Sequence, residues 1–314
     1  MYYPLLTQPY FRHGSETPWG GDKLKAYFGK PSPDDTTGEA LEASALPGMS
    51  SLIMNGSLAA LTLDKAQEKW GEALSGSQEF PLLLKLLDAR ETLSVQVHPG
   101  DAYAQKRHGK RGKTEAWVVL SCDPGAKIAY GLKSGATLAD VENGNMEEAL
   151  NWVKVAPGDV YYVPHGMVHA LGAGVQAYEI QQASDVTYRI WDWGRVGKDG
   201  KPRELHVEKA KKVIVNYTPE EIEKLRFSKA DRREPDLLAA CDKFTVRKYD
   251  ISGDKHISVG EDSFASLTFT DGEGIIRAGG KDYPFVKGDT YYLSAGLGEV
   301  SLVSEKAVCI RAGL

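Results

Sequence analysis

Cysteine is scarce: the 314 residues include three, Cys122, Cys241 and Cys309, far apart and without a CxxC pair. That spacing provides neither a disulfide framework nor a thiolate zinc site, and it fits free thiols in a reducing cytoplasm. Long apolar runs are missing. No stretch reaches the roughly 18 residues of a membrane helix, and the opening MYYPLLTQPYFRHG lacks the basic-then-apolar pattern of a secretion signal. The expectation is a soluble cytoplasmic protein with no membrane partner. Positive charge is not in excess either. With 38 Lys and Arg against 43 Asp and Glu, the formal net charge is -5, so no broad basic surface awaits nucleic acid. A small anionic substrate remains compatible. A hydrophobic content of 42% is enough for one large or two ordinary domains.

The first fifty residues are punctuated by Pro4, Pro9, Pro18, Pro31, Pro33 and Pro47. Within them, Trp19-Gly20-Gly21 reads either as the wall of a sugar-sized pocket or as a loop covering the core. Residues 58–74 have helical apolar spacing. From Phe80 onward, apolar strand-like runs alternate with polar turns. Lys85 interrupts the run Leu82–Leu87, so it lies at a strand edge or points into a polar cavity. Residues 101–113 carry six Lys, Arg or His side chains and read as a solvated loop. Lys113 precedes Glu115 by two residues, which on a strand places a cation and a carboxylate on one face. Glu115 heads the buried-looking run EAWVVLSC. Residues 137–153 switch to helical periodicity, broken at Asn143-Gly144.

The stretch Val155–Leu171, VAPGDVYYVPHGMVHAL, reads as two strands joined by a tight turn, a hairpin with His169 just after it. Two further strands flank Ala183-Ser184-Asp185. Arg189 is embedded among Val186, Tyr188, Ile190 and Trp191 and needs an anionic partner. Glu179, Asp185 or a substrate oxyanion could fill that role. Residues 204–225 are rich in helix formers, with Thr218 and Glu221 at capping-box spacing. Residues 158–166, GDVYYVPHG, align with residues 288–296, GDTYYLSAG, at a constant offset of 130. Such a repeat implies two copies of one β unit, placed at residues 1–228 and 229–314. In the second copy Ala295 replaces His165 and Glu299 replaces His169, so that copy is expected to be structural.

The spacing of Gly158, Pro164, Gly166 and His169 resembles the second sequence motif of the cupin β-barrels, whose final His binds metal. Gln96 and His98 in LSVQVHP resemble the first cupin motif with one His replaced by Gln. The fold class expected is therefore mainly β, two cupin-like jelly-roll barrels with short helical insertions. Two imidazoles (His98, His169), one carboxylate (Glu115) and a neutral amide (Gln96) suit a single zinc ion with a position left for water or substrate. An iron-dependent cupin oxygenase and a non-catalytic sugar-binding barrel are the other readings at this point.

Taken together, TPWGG, FPLLLKLLDA, LSVQVHPGD, GKTEAW, GDVYYVPHGMVHAL and SDVTYRIWDWGR resemble the type I mannose-6-phosphate isomerases in their shorter bacterial form. The resemblance implies zinc ligation by Gln96, His98, Glu115 and His169, with Arg189 as the catalytic arginine. It also places Trp19, Lys85, Ser94, Lys113, Glu179 and Asp185 along the pocket. The implied chemistry interconverts mannose 6-phosphate and fructose 6-phosphate through a cis-enediol. Lys113, Glu179, Asp185 or a metal-bound water is the expected base, and Lys85, Lys113 and Ser94 are expected near the phosphate. The partner expected is this phosphosugar, bound by a monomer or weak homo-oligomer.

Overall fold

The computed structural model describes residues 3–196, 200–225 and 234–314; the expected boundary between residues 228 and 229 lies outside them. The chain is mainly β, with short helices between strands, and its strands form three antiparallel sheets. A six-stranded sheet runs in the order Val160–Val163, Glu115–Cys122, Val175–Gln182, Leu82–Ala89, Glu39–Ala43, Tyr10–Arg12. A five-stranded sheet runs Tyr188–Trp191, Val95–Val97, His169–Ala170, Lys127–Leu132, Leu150–Lys154. The eight-stranded sheet carries the long strands Thr245–Val259, Ala265–Ala278 and Gly298–Gly313, and takes in Leu5–Gln8 and Leu52–Ile53 from the start of the chain. Closed barrels were the expectation. Among the described residues, each sheet is instead an open path of hydrogen-bonded strands, and the enclosure comes from packing sheet on sheet.

The six-stranded sheet is the middle layer, which explains why its central strands are buried on both faces. Every residue of Leu82–Ala89 and of Val175–Gln182 is buried. Successive side chains on a strand leave opposite faces. Leu82, Leu84 and Leu86, with Tyr178 and Ile180, pack towards Phe264, Tyr292 and Ile310 of the eight-stranded sheet. Leu83, Lys85 and Leu87 face a pocket on the other side. A lysine inside a leucine run is thus a change of face, and the cavity reading of Lys85 holds.

The repeat is structural in detail. Gly158 and Gly288 both have left-handed φ, 91° and 95°, which glycine adopts without steric cost. Asp159 accepts from the Ala156 N–H at 2.9 Å, as Asp289 does from Val286 at 2.9 Å. Tyr161 donates to the Lys154 carbonyl and Tyr291 to that of Pro284. The shared Gly, Asp and first Tyr therefore build one turn twice.

Several local expectations are corrected. The strands of Val155–Leu171 do not pair with each other. Val163 pairs with Glu115 in the six-stranded sheet, whereas His169 pairs with Gln96 in the five-stranded one. The turn between them crosses from sheet to sheet, with the Gly166 N–H donating to the His98 carbonyl at 2.8 Å. The basic stretch after Pro99 is a helix, Asp101–His108, rather than a loop. Residues 150–153, read as helical, belong to the strand Leu150–Lys154. Residues 204–225 hold only the short helices Val207–Ala210 and Pro219–Lys224, the second with the expected Thr218–Glu221 capping box.

Glu42, fully buried, leaves the opposite face from Glu39 and ties two sheets together. Its Oε2 accepts from Lys30 and from Thr290 of the eight-stranded sheet, both at 2.7 Å. Burial raises the Glu42 pKa, and Lys30 opposes that rise. Lys30→Met strands the carboxylate and should destabilise the fold by about 3–5 kcal/mol, while adding Glu42→Leu should recover most of the loss. Urea unfolding of both variants measures this. A Lys30→Met protein as stable as the parent would refute the role given to the pair.

Candidate metal centre and substrate pocket

The candidate metal-ligating groups His98, Glu115 and His169 meet between the six- and five-stranded sheets. Glu115 comes from the first strand of EAWVVLSC, and His169 from the opposite sheet directly after the crossing turn. His98 follows the strand Val95–Val97. All three are buried, and their ligand atoms lie within 4.8 Å of one another. His98 Nε2 is 3.1 Å from His169 Nε2 and 3.6 Å from Glu115 Oε2, and His169 Nε2 is 3.4 Å from Glu115 Oε1.

The donor chemistry fits a cation. His169 Nδ1 lies 2.8 Å from the Met167 carbonyl, and His98 Nδ1 lies 3.2 Å from that of Val186. A carbonyl can only accept, so each Nδ1 carries the proton and each Nε2 presents a lone pair. Two lone pairs 3.1 Å apart repel unless something positive sits between them. Neither Glu115 oxygen receives a hydrogen bond of good geometry, although the Lys113 ammonium is 2.8 Å from Oε2. Zinc bonds of about 2.0–2.1 Å give a tetrahedron with edges of about 3.3–3.4 Å, close to the three separations observed. Burial, then Lys113, then the neighbouring His169 push His98 well below the usual histidine range. Burial takes His169 down to about 4. Neutral imidazole, the form that ligates metal, is therefore favoured at both. Burial and the nearby Glu179 raise Glu115 to about 7.

Gln96 lies on the middle strand of this corner, in register with His169 on one side and Arg189 on the other. It lines a pocket that also takes in Trp19, Lys85, Ser94, Lys113, Glu179, Asp185 and Arg189. The sequence-derived residues thus converge, with the His98, Glu115 and His169 cluster beneath Gln96 and Lys113. Lys85 sits 3.0 Å from Glu179 and 3.4 Å from Glu39. Burial lowers its pKa, but the two carboxylates more than offset this and hold it charged. Burial would raise Glu179, yet Lys85 and Lys113 bring it down to about 2. Trp117 Nε1 fixes its other oxygen at 3.0 Å.

Two placements differ from what residue type suggested. Asp185 stands at the rim, 41% exposed, with Lys110 at 2.6 Å. Among the described residues Arg189 pairs with neither Glu179 nor Asp185; its Nη1 donates to the Glu204 carbonyl at 2.8 Å, and its buried Nε has no hydrogen-bond partner there. Burial and the neighbouring Arg203 lower its pKa.

Arg12, Glu39 and Arg203 also line the pocket and escaped the sequence reading. Glu39 was detectable: GEALEAS puts two carboxylates three residues apart in a short apolar strand, hence on opposite faces. Arg12, which donates to Glu39 at 3.3 Å, and Arg203 sit in stretches that look like ordinary polar loop.

Comparison with known proteins agrees with this geometry. The model of the phosphomannose isomerase type I catalytic domain matches residues 13–116, and that of the mannose-6-phosphate isomerase cupin domain matches residues 235–312. Mannose-6-phosphate isomerase ManA of Bacillus subtilis is 39% identical over 309 residues, covering 95% of each chain. The Streptococcus mutans mannose-6-phosphate isomerase is 38% identical over 276 residues, 86% of this chain and 87% of that one. The crystal structure of the mannose 6-phosphate isomerase from Bacillus subtilis superposes with a TM-score of 0.87 at 32% identity, over 98% of this chain and 99% of that one. With such identity over nearly its whole length, the chain belongs to the type I mannose-6-phosphate isomerase family.

Proposed function

We propose that this chain interconverts mannose 6-phosphate and fructose 6-phosphate with one zinc ion held by Gln96, His98, Glu115 and His169. The observation that carries the reading is the buried His98, Glu115 and His169 cluster under a pocket walled by fixed charges. Two imidazoles and an amide are neutral, so a single carboxylate leaves a divalent centre net positive. Bound there, zinc supplies Lewis-acid stabilisation of oxyanion charge on the open-chain sugar.

A base takes the C2 proton of the aldose, a cis-enediol forms, C1 is reprotonated, and the O2 proton ends on O1. Arg189 donates to the charge that develops on the substrate oxygens, for which its buried Nε, without a hydrogen-bond partner among the described residues, is free. Lys113 and Glu179 are assigned the proton transfer: Lys113 lines the pocket and reaches the metal cluster, and its ammonium is 3.9 Å from Glu179. Lys85 holds Glu179 in place. Trp19 and Ser94 wall the sugar, and Asp185 guards the entrance. Residues 1–228 and 229–314 are read as two jelly-roll units, catalytic and structural, in a cytoplasmic monomer or weak homo-oligomer. The missing ligand set of the second copy supports that division.

Three outcomes are expected. Chelation should abolish isomerisation in a coupled assay and added zinc should restore it, while His169→Ala should lose both metal, by elemental analysis, and activity with its circular dichroism unchanged. Full activity in metal-free buffer would sink the metal assignment. Arg189→Ala should lower kcat by about 100-fold or more with a smaller change in substrate affinity; a pure affinity loss would make it a binding residue. Glu179→Gln should lower kcat by about 100-fold or more with zinc content intact and slow C2 proton exchange with solvent, whereas undiminished exchange would remove Glu179 from the proton path.

A further inference from the structure

We infer that Arg203 grips the phosphate of the sugar phosphate and so sets the preference for a phosphorylated substrate. The inference rests on the isomerase reading above and concerns where the charge of the pocket is left unmatched.

The lysine end of the pocket is already neutralised. Lys85 contacts Glu39 and Glu179, and Lys113 lies 2.8 Å from Glu115 and 3.9 Å from Glu179. The arginine end is different. Arg195 and Arg203 share one carboxylate, Asp192: Arg195 Nη2 is 2.7 Å from Oδ1, and Arg203 binds both oxygens, Nη2 to Oδ1 at 2.6 Å and Nε to Oδ2 at 2.7 Å. Arg189 adds a third guanidinium, whose side-chain hydrogen bond among the described residues is to a backbone carbonyl. Of the other carboxylates described around it, Glu91 is 3.8 Å from Arg195 and 55% exposed, and Glu204, next to Arg203 in sequence, is 78% exposed, so their charge is largely screened. Arg203 is 19% exposed and keeps Nη1 without a hydrogen bond among the described residues. A dianion is the ligand that balances this corner, and guanidinium groups match phosphate oxygens in geometry.

The spacing fits as well. His169, Gln96 and Arg189 stand in register on three adjacent strands. Beyond Arg189, its N–H donates to the His206 ring Nδ1, its C=O accepts from the His206 N–H and its guanidinium donates to the Glu204 carbonyl, so residues 204–206 run beside it without forming a further strand. Each step between the three paired strands adds about 4.8 Å. The metal ligands and Arg203 therefore mark opposite ends of one wall of the pocket, and an extended six-carbon chain lies between them. The reacting carbons sit at the metal end and the phosphate sits at Arg203. This placement moves the phosphate away from Lys85, Lys113 and Ser94.

The test is steady-state kinetics with mannose 6-phosphate, and calorimetric titration with inorganic phosphate, on the zinc-loaded full chain and its Arg203→Met and Arg203→Gln variants. Loss of one charge-assisted contact should raise both KM and the phosphate dissociation constant by about tenfold or more, with kcat falling by less than KM rises. Arg203→Gln keeps a donor for Asp192 and serves if Arg203→Met does not fold. Phosphate affinity equal to that of the parent in a folded variant overturns the inference. A parent that binds phosphate through Arg203 yet leaves mannose 6-phosphate unchanged would overturn the isomerase reading alone.

Discussion

Two imidazole lone pairs and a carboxylate are buried against one another at 3.1–3.6 Å, with the Lys113 ammonium at one side, 3.2 Å from His98 Nε2 and 2.8 Å from Glu115 Oε2. Left alone, such a group costs several kcal/mol in desolvation. The surrounding protein is arranged to hold it. Backbone carbonyls fix both histidine tautomers, Lys113 lies beside the carboxylate, and Glu179 and Lys85 alternate in sign behind it. The alternation continues through Glu39 to Arg12. The cluster is thus the inner end of a chain of charges that starts near the protein surface.

That chain is possible because the middle sheet is covered on both sides. Its strands present leucines, Tyr178 and Ile180 to the C-terminal sheet and Lys85, Glu179 and Glu115 to the pocket. Period-2 geometry lets one strand serve two environments. The rigid apolar face fixes the charged face, and catalytic groups carried by strands hold position better than groups on loops.

Much of this was readable in the residues. Lys85 within leucines, Glu115 two residues after Lys113, and the Gly, Pro and His spacing before His169 each reported a local requirement that the fold then met. The 130-residue repeat also announced a turn whose hydrogen bonds recur atom for atom. Pairing was not readable. Nothing in VPHGMVHAL distinguishes a hairpin from a turn that changes sheets, because both need the same Gly at positive φ; only the partners, Glu115 and Gln96, decide. Arg203 escaped for a similar reason. Its meaning comes from lying alongside Arg189, a relation between segments rather than a property of either.

The strand Leu5–Gln8 hydrogen-bonds with residues near the far end of the chain, and Thr7 donates to the Thr290 carbonyl across a separation of 283 residues. During synthesis this strand can meet Leu52–Ile53 and Glu42 early, but its partners Thr290–Tyr292 emerge much later. Gln96 and the buried His98, Glu115 and His169 cluster, by contrast, all lie between positions 96 and 169. Assembly therefore has a natural order: the buried His98, Glu115 and His169 cluster can gather first, and the strand Leu5–Gln8 closes onto Thr290–Leu293 last, as a clasp.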